Sequence, residues 1–418
     1  MSRYRLAASI ITVLFLFLGV VQARELRVLS EDELIIQGLL YDEYKAYENS
    51  REIFGKLYDS TGAKEYLFRE VTSSLLSRSH IAQSIERLKH WDKAHPDTLE
   101  VKRLLIPLYL TNQQIQEARN QAEGLVERSS KPRDLDLASN PYLYTGEFKK
   151  ALHLLNKVYE KTHNEDVLLR MSVIMDEYTG ERKKAIQLLE MHRRMNVTVS
   201  NQVYYKLLAL YVKENDVDGV LEVYKILYEH DPNEKYLSKI IDAYAYKGDM
   251  NGAIAFLEKK HIENKTLYAL YKANKEYDKA LRLEAKLYAK DHDPKWLAEK
   301  AILLFENAKD KNDKRMLDKV VSFFDKALSE GVDDSLYLNY YGYTLIEKKI
   351  DIKKGIKIVK EALIQQPDNT YYLDSLAWGY YRKHQCKKAY KLMKKVVDKE
   401  GLEEPEIIEH WDAIQKCK

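Results

Sequence analysis

The sequence predicts an all-α protein built from repeated antiparallel helix pairs. Three observations carry this. Punctuation is sparse, with 15 Gly and 8 Pro in 418 residues, a composition that favours helices joined by short turns. Apolar residues recur at helical spacing in short, paired stretches. The pairs themselves repeat: a small or β-branched residue opening each second helix falls at Ser50, Ser84, Ala118, Ala151, Ala185, Val220, Ala253, Ala280, Val320, Gly355 and Ala389, mostly 33 to 35 residues apart. The short step to Ala280 and the long step to Val320 together span 67 residues, close to two periods.

Taken in order, the chain opens with Arg3 and Arg5, an apolar run from Leu6 to Val21, and Val21-Gln22-Ala23. A basic start, an apolar middle and a small-residue site describe an export signal, with cleavage expected after Ala23. The alternative is an uncleaved membrane anchor at residues 6–21, although the run is slightly short for a span. No cysteine near residue 23 offers a lipid attachment point, and no second long apolar run follows. The expected product is a soluble periplasmic or secreted protein.

Residues 24–32 read as an unstructured lead-in and 33–260 as a first repeat array. Its clearest unit runs from Asn201 to Pro232: Tyr204, Leu207, Leu208 and Tyr211, a turn at Asn215-Asp216, then Val220, Tyr224 and Leu227. The next has Leu237, Ile240 and Tyr244, a Gly248-Asp249 turn, then Ala253 and Leu257. Pro107 lies inside a first helix, where it is expected to introduce a kink. Residues 261–330 hold the irregular spacings and are a candidate hinge. Residues 331–401 return to the period. There Leu373, Leu376, Ala377 and Tyr380 make one stripe, and Ala389, Met393 and Val396 a second. Residues 402–418 form a capping helix: Pro405 suits a first helical turn, and Ile407, Ile408, Trp411 and Ile414 supply an apolar stripe. Single pairs this short are not stable alone.

These features resemble the tetratricopeptide repeat (TPR) family, and among its members the exported, periplasmic bacterial proteins. The residues carrying the resemblance include Tyr211 with Ala253, Tyr380 with Ala389, the Gly146, Gly180 and Gly248 turns, and Pro96, Pro232 and Pro367 at unit ends. The units at Ser84 and Val320 depart most from the pattern. The resemblance implies a right-handed α-solenoid of about eleven helix pairs plus the cap, in which each unit buries its faces against its neighbours. It also implies that first helices line a concave groove. Positions expected there are Tyr205, Asp242, Tyr246, Asn339, Tyr343, Tyr371, Asp374, Trp378, Tyr381 and Arg382. Trp, Tyr and Arg are common binding anchors, so this set points to a groove for an extended peptide or a partner's helix. The alternative is that the rings pack against the next helix or the cap. Asp374 stands where the family's carboxylate-binding clamp would need Lys or Asn, so that role is not carried over.

Two cysteines, Cys386 and Cys417, lie in the last turn and just beyond the cap. In a stacked array these places share an edge, and an exported protein meets oxidising conditions. A disulfide stapling cap to repeat is expected, worth on the order of 3 kcal/mol in the chain-entropy model. The alternatives are free surface thiols or a redox pair, the latter lacking Cys-x-x-Cys spacing.

Chemistry finds little footing. There is no phosphate-binding Gly loop, no His-Glu-x-x-His and no Gly-x-Ser-x-Gly. Asp291-His292-Asp293 reads as a solvated turn rather than a metal site, and Glu403-Glu404 as helix-start charge. No catalytic residue, metal or cofactor is expected. A net charge of +3 argues against nucleic acid as the main partner. The lysines at 348, 349, 353, 354, 357, 360, 387, 388, 391, 394 and 395 recur on second helices. They read first as a solvated face and otherwise as a surface for an acidic protein or lipid headgroups. Asn196 and Asn264 open Asn-x-Thr triplets that matter only in a eukaryotic secretory path. The 32 Tyr against 9 Phe point to many half-buried rings with wet hydroxyls. The functional expectation is a non-enzymatic interaction scaffold of the bacterial cell envelope. The alternatives are a signal-anchored accessory factor for envelope polysaccharide or protein export, and an unrecognised enzyme.

Overall fold

The computed structural model describes residues 29–96 and 98–417. The expected signal segment, its cleavage point and the alternative anchor lie outside the described residues. Among those residues there are twenty-three α-helices and no strand. They fall into eleven consecutive pairs and a final single helix, the count the period implied. The chain divides into two compact units after Leu227, upstream of the boundary expected at residue 260.

The first unit contains α1 (Glu31–Glu43) with α2 (Tyr47–Thr61), α3 (Lys64–Ser77) with α4 (Ile81–Ala94), and α5 (Leu99–Thr111) with α6 (Ile115–Val126). It continues with α7 (Pro132–Tyr144) and α8 (Phe148–Thr162), α9 (Glu165–Glu177) and α10 (Arg182–Met195), then α11 (Asn201–Lys213) and the start of α12 (Val217–His230). Helix α1 begins inside the stretch expected to be unstructured. Ser30 caps it, accepting from the Glu33 N–H while the Glu33 carboxylate accepts from the Ser30 N–H. Helix α5 runs through Pro107 without interruption. The second unit holds α13 (Glu234–Lys247) with α14 (Met250–Lys259), α15 (Lys265–Ala273) with α16 (Tyr277–Asp291), and α17 (Lys295–Asn307) with α18 (Lys314–Ser329). It ends with α19 (Ser335–Glu347) and α20 (Ile352–Gln365), α21 (Thr370–Arg382) and α22 (Cys386–Glu400), and α23 (Pro405–Gln415).

The marked small residues explain the register. All but Val320 are the fourth residue of their second helix, and all but Val220 are buried. A short side chain there lets the two helices of a pair approach closely. The irregular steps have a local cause. Helices α14 and α15 have only 10 and 9 residues, whereas α18 has 16 and carries Val320 as its seventh. Two successive helices are shortened, and α18, three helices further on, begins almost a turn earlier relative to its marked residue.

Turns between paired helices also repeat. Lys45, Gln113, Gly146, Gly180, Asn215, Gly248, Lys275 and His384 each lie five residues before a marked position and have φ between 55° and 72°. This left-handed residue reverses the chain and satisfies the helix end. The N–H just after it donates back to the carbonyl of Tyr41, Tyr109, Tyr142, Tyr211, Tyr244, Tyr271 or Tyr380 at 2.8–3.0 Å. Most of these rings are buried. Three hydroxyls reach the preceding second helix: Tyr142 to Glu123, Tyr211 to Glu190 at 3.0 Å and Tyr271 to Glu258 at 2.8 Å. A phenylalanine would fill the same space but remove one of the donors to that carboxylate, a reason for the preference for tyrosine.

Candidate protein-interaction surface

The face expected to hold a partner is built by the first helix of each pair. In the first unit, neighbouring first helices are joined there by ion pairs. Arg103 on α5 donates twice to Asp134 on α7, at 2.7 and 2.9 Å. Arg170 on α9 pairs with Asp136 on α7. Lys213 on α11 reaches the buried Asp176 on α9 at 2.6 Å, and Arg182 approaches the same carboxylate at 2.6 Å. Burial works to raise Asp176, but these donors outweigh it and hold the carboxyl below its usual range.

The second unit shows the same device with tyrosine. Glu299 on α17 accepts from Tyr268 and Lys272 on α15, each at 2.6 Å, and from Tyr337 on α19 at 2.8 Å. Tyr340 donates to Glu306 at 2.6 Å. Burial, then the Glu299 charge, pushes the Tyr268 and Tyr337 phenols well above the ordinary range.

At the C-terminal end of this face the expected anchors are occupied from within. Trp378, expected to be an exposed anchor, is only 4% exposed. Its indole N–H donates to Glu347 on α19 at 2.7 Å, and Arg382 reaches the same carboxylate at 3.0 Å. Arg382 also lies 4.5 Å over the Trp378 ring, and Tyr381 stacks against it at 4.8 Å. The remaining side is covered by α23: His410 stacks on Trp378 with ring centres 4.0 Å apart. Asp374, also expected to face a ligand, is buried, with His410 Nδ1 2.9 Å from both its oxygens. Burial raises the Asp374 carboxyl, with His410 opposing. Tyr343 on α19 donates to Glu406 on α23. Helix α23 thus crosses α21 and reaches α19.

The physical reason is local. Trp378 and Asp374 are a turn apart on α21, so whatever packs on that side covers both. The cap supplies it, with the expected apolar stripe altered at two places. Ile407, His410 and Ile414 are buried while Ile408 is exposed; Trp411 is half-buried against the same cluster and stacks on Tyr390 at 5.4 Å. His410 was invisible to the periodicity because a polar residue reads as surface. Glu347 and Glu406 were missed for the same reason. Of the other positions, Asn339 is half-buried with its amide oxygen unpaired. Asp242 is exposed and pairs with Lys239. Tyr205, Tyr246 and Tyr371 are 48%, 78% and 63% exposed. Tyr205 belongs to the first unit, and within the second α15, α17 and α19 intervene between the helices bearing Tyr246 and Tyr371.

Cys386 opens α22, Cys417 follows α23, and the two are joined in a disulfide with Cα atoms 5.5 Å apart. The lysines at 353, 357, 360, 387, 388, 391, 394 and 395 are exposed. Asp291 organises its own turn, accepting from the Asp293 N–H at 3.1 Å and the Trp296 indole at 3.0 Å. Among the described residues no cluster of His, Cys, Asp or Glu is arranged to hold a metal ion, and no helix is long and apolar enough to cross a membrane.

The sequence matches no family model and no curated protein. Among solved structures it is similar to "Structure of Naa15/Naa10 bound to HypK-THB", at 13% identity and a TM-score of 0.34, covering 88% of this chain and 63% of that one. It is also similar to "Crystal structure of APC/C hetero-tetramer Cut9-Hcn1", at 13% identity and a TM-score of 0.32, covering 91% and 88%. This chain spans less than two thirds of the first of these chains, and overlaps this loose carry no functional argument. The chain is an all-α array of TPR-like helix pairs, a conclusion that rests on its own period, turns and packing.

Proposed function

We propose that this protein is a non-enzymatic interaction scaffold of the bacterial cell envelope that grips a helical segment of a protein partner on the face formed by its first helices. One observation carries the reading: the side of α19 and α21 expected to bind a partner already seats an α-helix. Helix α23 lies there with a stacked imidazole that also pairs with the buried Asp374 carboxylate, and two isoleucines. The surface therefore has the shape and polar groups a helix requires. The basic start, apolar run and Ala23 site of the first residues, the pattern of an export signal, support the envelope assignment.

In-cell crosslinking tests this. A photoreactive residue replacing Tyr205, Tyr246 or Tyr371 is expected to capture one discrete protein from at least one position. The same residue at Lys394, on α22, is the control and is expected to capture none. Capture from none of the three, by chains of wild-type helicity, would remove the scaffold reading. The mature N-terminus separates the two envelope forms: Arg24 for an exported chain, Met1 or Ser2 for an anchored one.

A further inference from the structure

We infer that α23 is a releasable internal ligand, locked by the Cys386–Cys417 disulfide, and that the groove it fills takes an external helix of the same chemistry. This deepens the scaffold reading and rests on it. Three observations converge.

The first is how α23 is held. Its polar contacts go to the very residues of α19 and α21 that would otherwise face outward. Glu406 accepts from Tyr343, and His410 pairs with Asp374 and stacks on Trp378. Ile407 and Ile414 join Ala377, Ala389, Met393 and Val396 in one apolar cluster. A carboxylate, an imidazole one turn later and isoleucines on the same side specify the occupant. A replacement helix needs an acid opposite Tyr343, a cationic or N–H-donating ring opposite Asp374, and aliphatic side chains over Met393 and Val396.

The second is what departure would leave behind. Asp374 is nine-tenths buried and has no other hydrogen-bond partner on its own element. Departure of α23 uncovers this carboxylate to water, and a helix that buries it again without a donor leaves it unpaired, which selects strongly for a basic or donor-bearing occupant. An acidic or wholly apolar helix is thereby rejected.

The third is the tether. Residues 401–404 alone link α22 to α23, and Gly401 takes a left-handed φ of 79° in that link. A tether this short gives α23 an effective concentration on the order of millimolar. The disulfide adds a second tether at the other end of α23, so both ends are fixed. In the oxidised chain an external helix competes against an occupant that cannot leave. Reduction by a dithiol breaks the Sγ–Sγ bond. Each sulfur gains one electron and one proton to become a thiol, and the dithiol is oxidised to its own disulfide. The C-terminal end of α23 is then free to swing away.

The test uses the full chain and a fluorescein-labelled peptide of residues 402–418 carrying Cys417→Ser. Binding is read by fluorescence anisotropy. The oxidised chain is expected to bind this peptide at least tenfold more weakly than a Cys386→Ser/Cys417→Ser chain. Adding His410→Ala to the latter, which loosens the internal helix, is expected to tighten peptide binding further. Adding Asp374→Ala instead is expected to abolish it. Hydrogen exchange over 405–415 reports release of α23 independently of binding, and exchange over α19–α22 confirms that the groove keeps its fold. A chain whose 405–415 amides exchange freely, whose α19–α22 amides stay protected and which still ignores the peptide would overturn the inference. So would equal peptide affinity of oxidised and disulfide-free chains. A concentration-dependent dimer of the disulfide-free chain would overturn the external occupant, since a second copy's α23 would fill the groove. Crosslinking that captures a partner at Tyr371 regardless of redox state would sink the lock and leave the scaffold standing. Peptide binding with no partner captured in cells would do the reverse.

Discussion

Gly342→Ala in α19 tests the packing on which the array depends. A Cβ built at Gly342 would lie 2.5 Å from Val359 Cγ2, 2.9 Å from the Gly355 carbonyl oxygen and 3.1 Å from the Val359 nitrogen. Two of these neighbours are backbone and cannot rotate away, so α19 and α20 must separate. Overpacking of this kind costs about 3 kcal/mol, the upper end of its ordinary range. Replacing Gly with Ala inside a helix returns about 1 kcal/mol. The expected net loss is about 2 kcal/mol. Gly124→Ala in α6 is the counterpart. Its Cβ meets only the mobile end of Lys102, with Nζ at 3.2 Å, so propensity should prevail and the chain should gain up to about 1 kcal/mol. Urea unfolding followed by circular dichroism measures both. Hydrogen exchange localises the first to α19 and α20, since repeat arrays can open locally. A Gly342→Ala chain as stable as the wild type would refute the claim that close approach at Gly342 and Gly355 sets this pair's geometry.

Trp378→Ala is expected to cost about 3–5 kcal/mol and to raise exchange over 405–415, while Tyr371→Ala on the same helix should stay within about 0.5 kcal/mol; similar losses would contradict the burial difference. Removing the disulfide with Cys386→Ser/Cys417→Ser closes no loop of 31 residues and should lower stability by about 3–4 kcal/mol in the chain-entropy model, read as an earlier transition confined to the C-terminal pairs. Glu284 is buried, Lys300 Nζ stands 3.6 Å away, and neither carboxylate oxygen has a hydrogen-bond partner. Burial raises its folded-state pKa despite Lys300. Its stabilising share is therefore full below the unfolded value and lost as pH rises through the folded one. Glu284→Gln should raise the melting temperature at pH 7 and change it little near pH 4; the same gain at both would show that charge is not the cause.

Much of the array was legible because helix pairs announce themselves twice, by apolar spacing and by the small residue that opens each second helix. Ala118, Ala151, Ala185 and Ala389 could be marked without coordinates because a short side chain favours close approach at that crossing. The irregular pairs were visible as broken intervals. Their cause, two short helices and, further on, an α18 that starts early, needed the structure, because spacing reports the sum of lengths and not how it is divided. Only the end of the expected lead-in differs, the helix starting at Glu31, for a simple reason: Ser30 and Glu33 cap a helix whose apolar residues lie all round it, so no one-sided stripe marks its start. The site was legible in part. Trp378 and Asp374 were placed on the groove side, and for Trp378 the alternative reading, that the rings pack against the cap, is the one the fold adopts.

What the chain's own letters determined is everything local: where helices begin and reverse, which small residues seat one helix on the next, and that two distant cysteines come to share an edge. What only the folded molecule decided is which polar side chains are spent inside. Periodicity treats His410, Glu347 and Asp374 as surface, because a single sequence carries no record of a partner thirty residues away. Burial and hydrogen bonding are properties of pairs, and those pairs exist only once α23 has come to rest across α21.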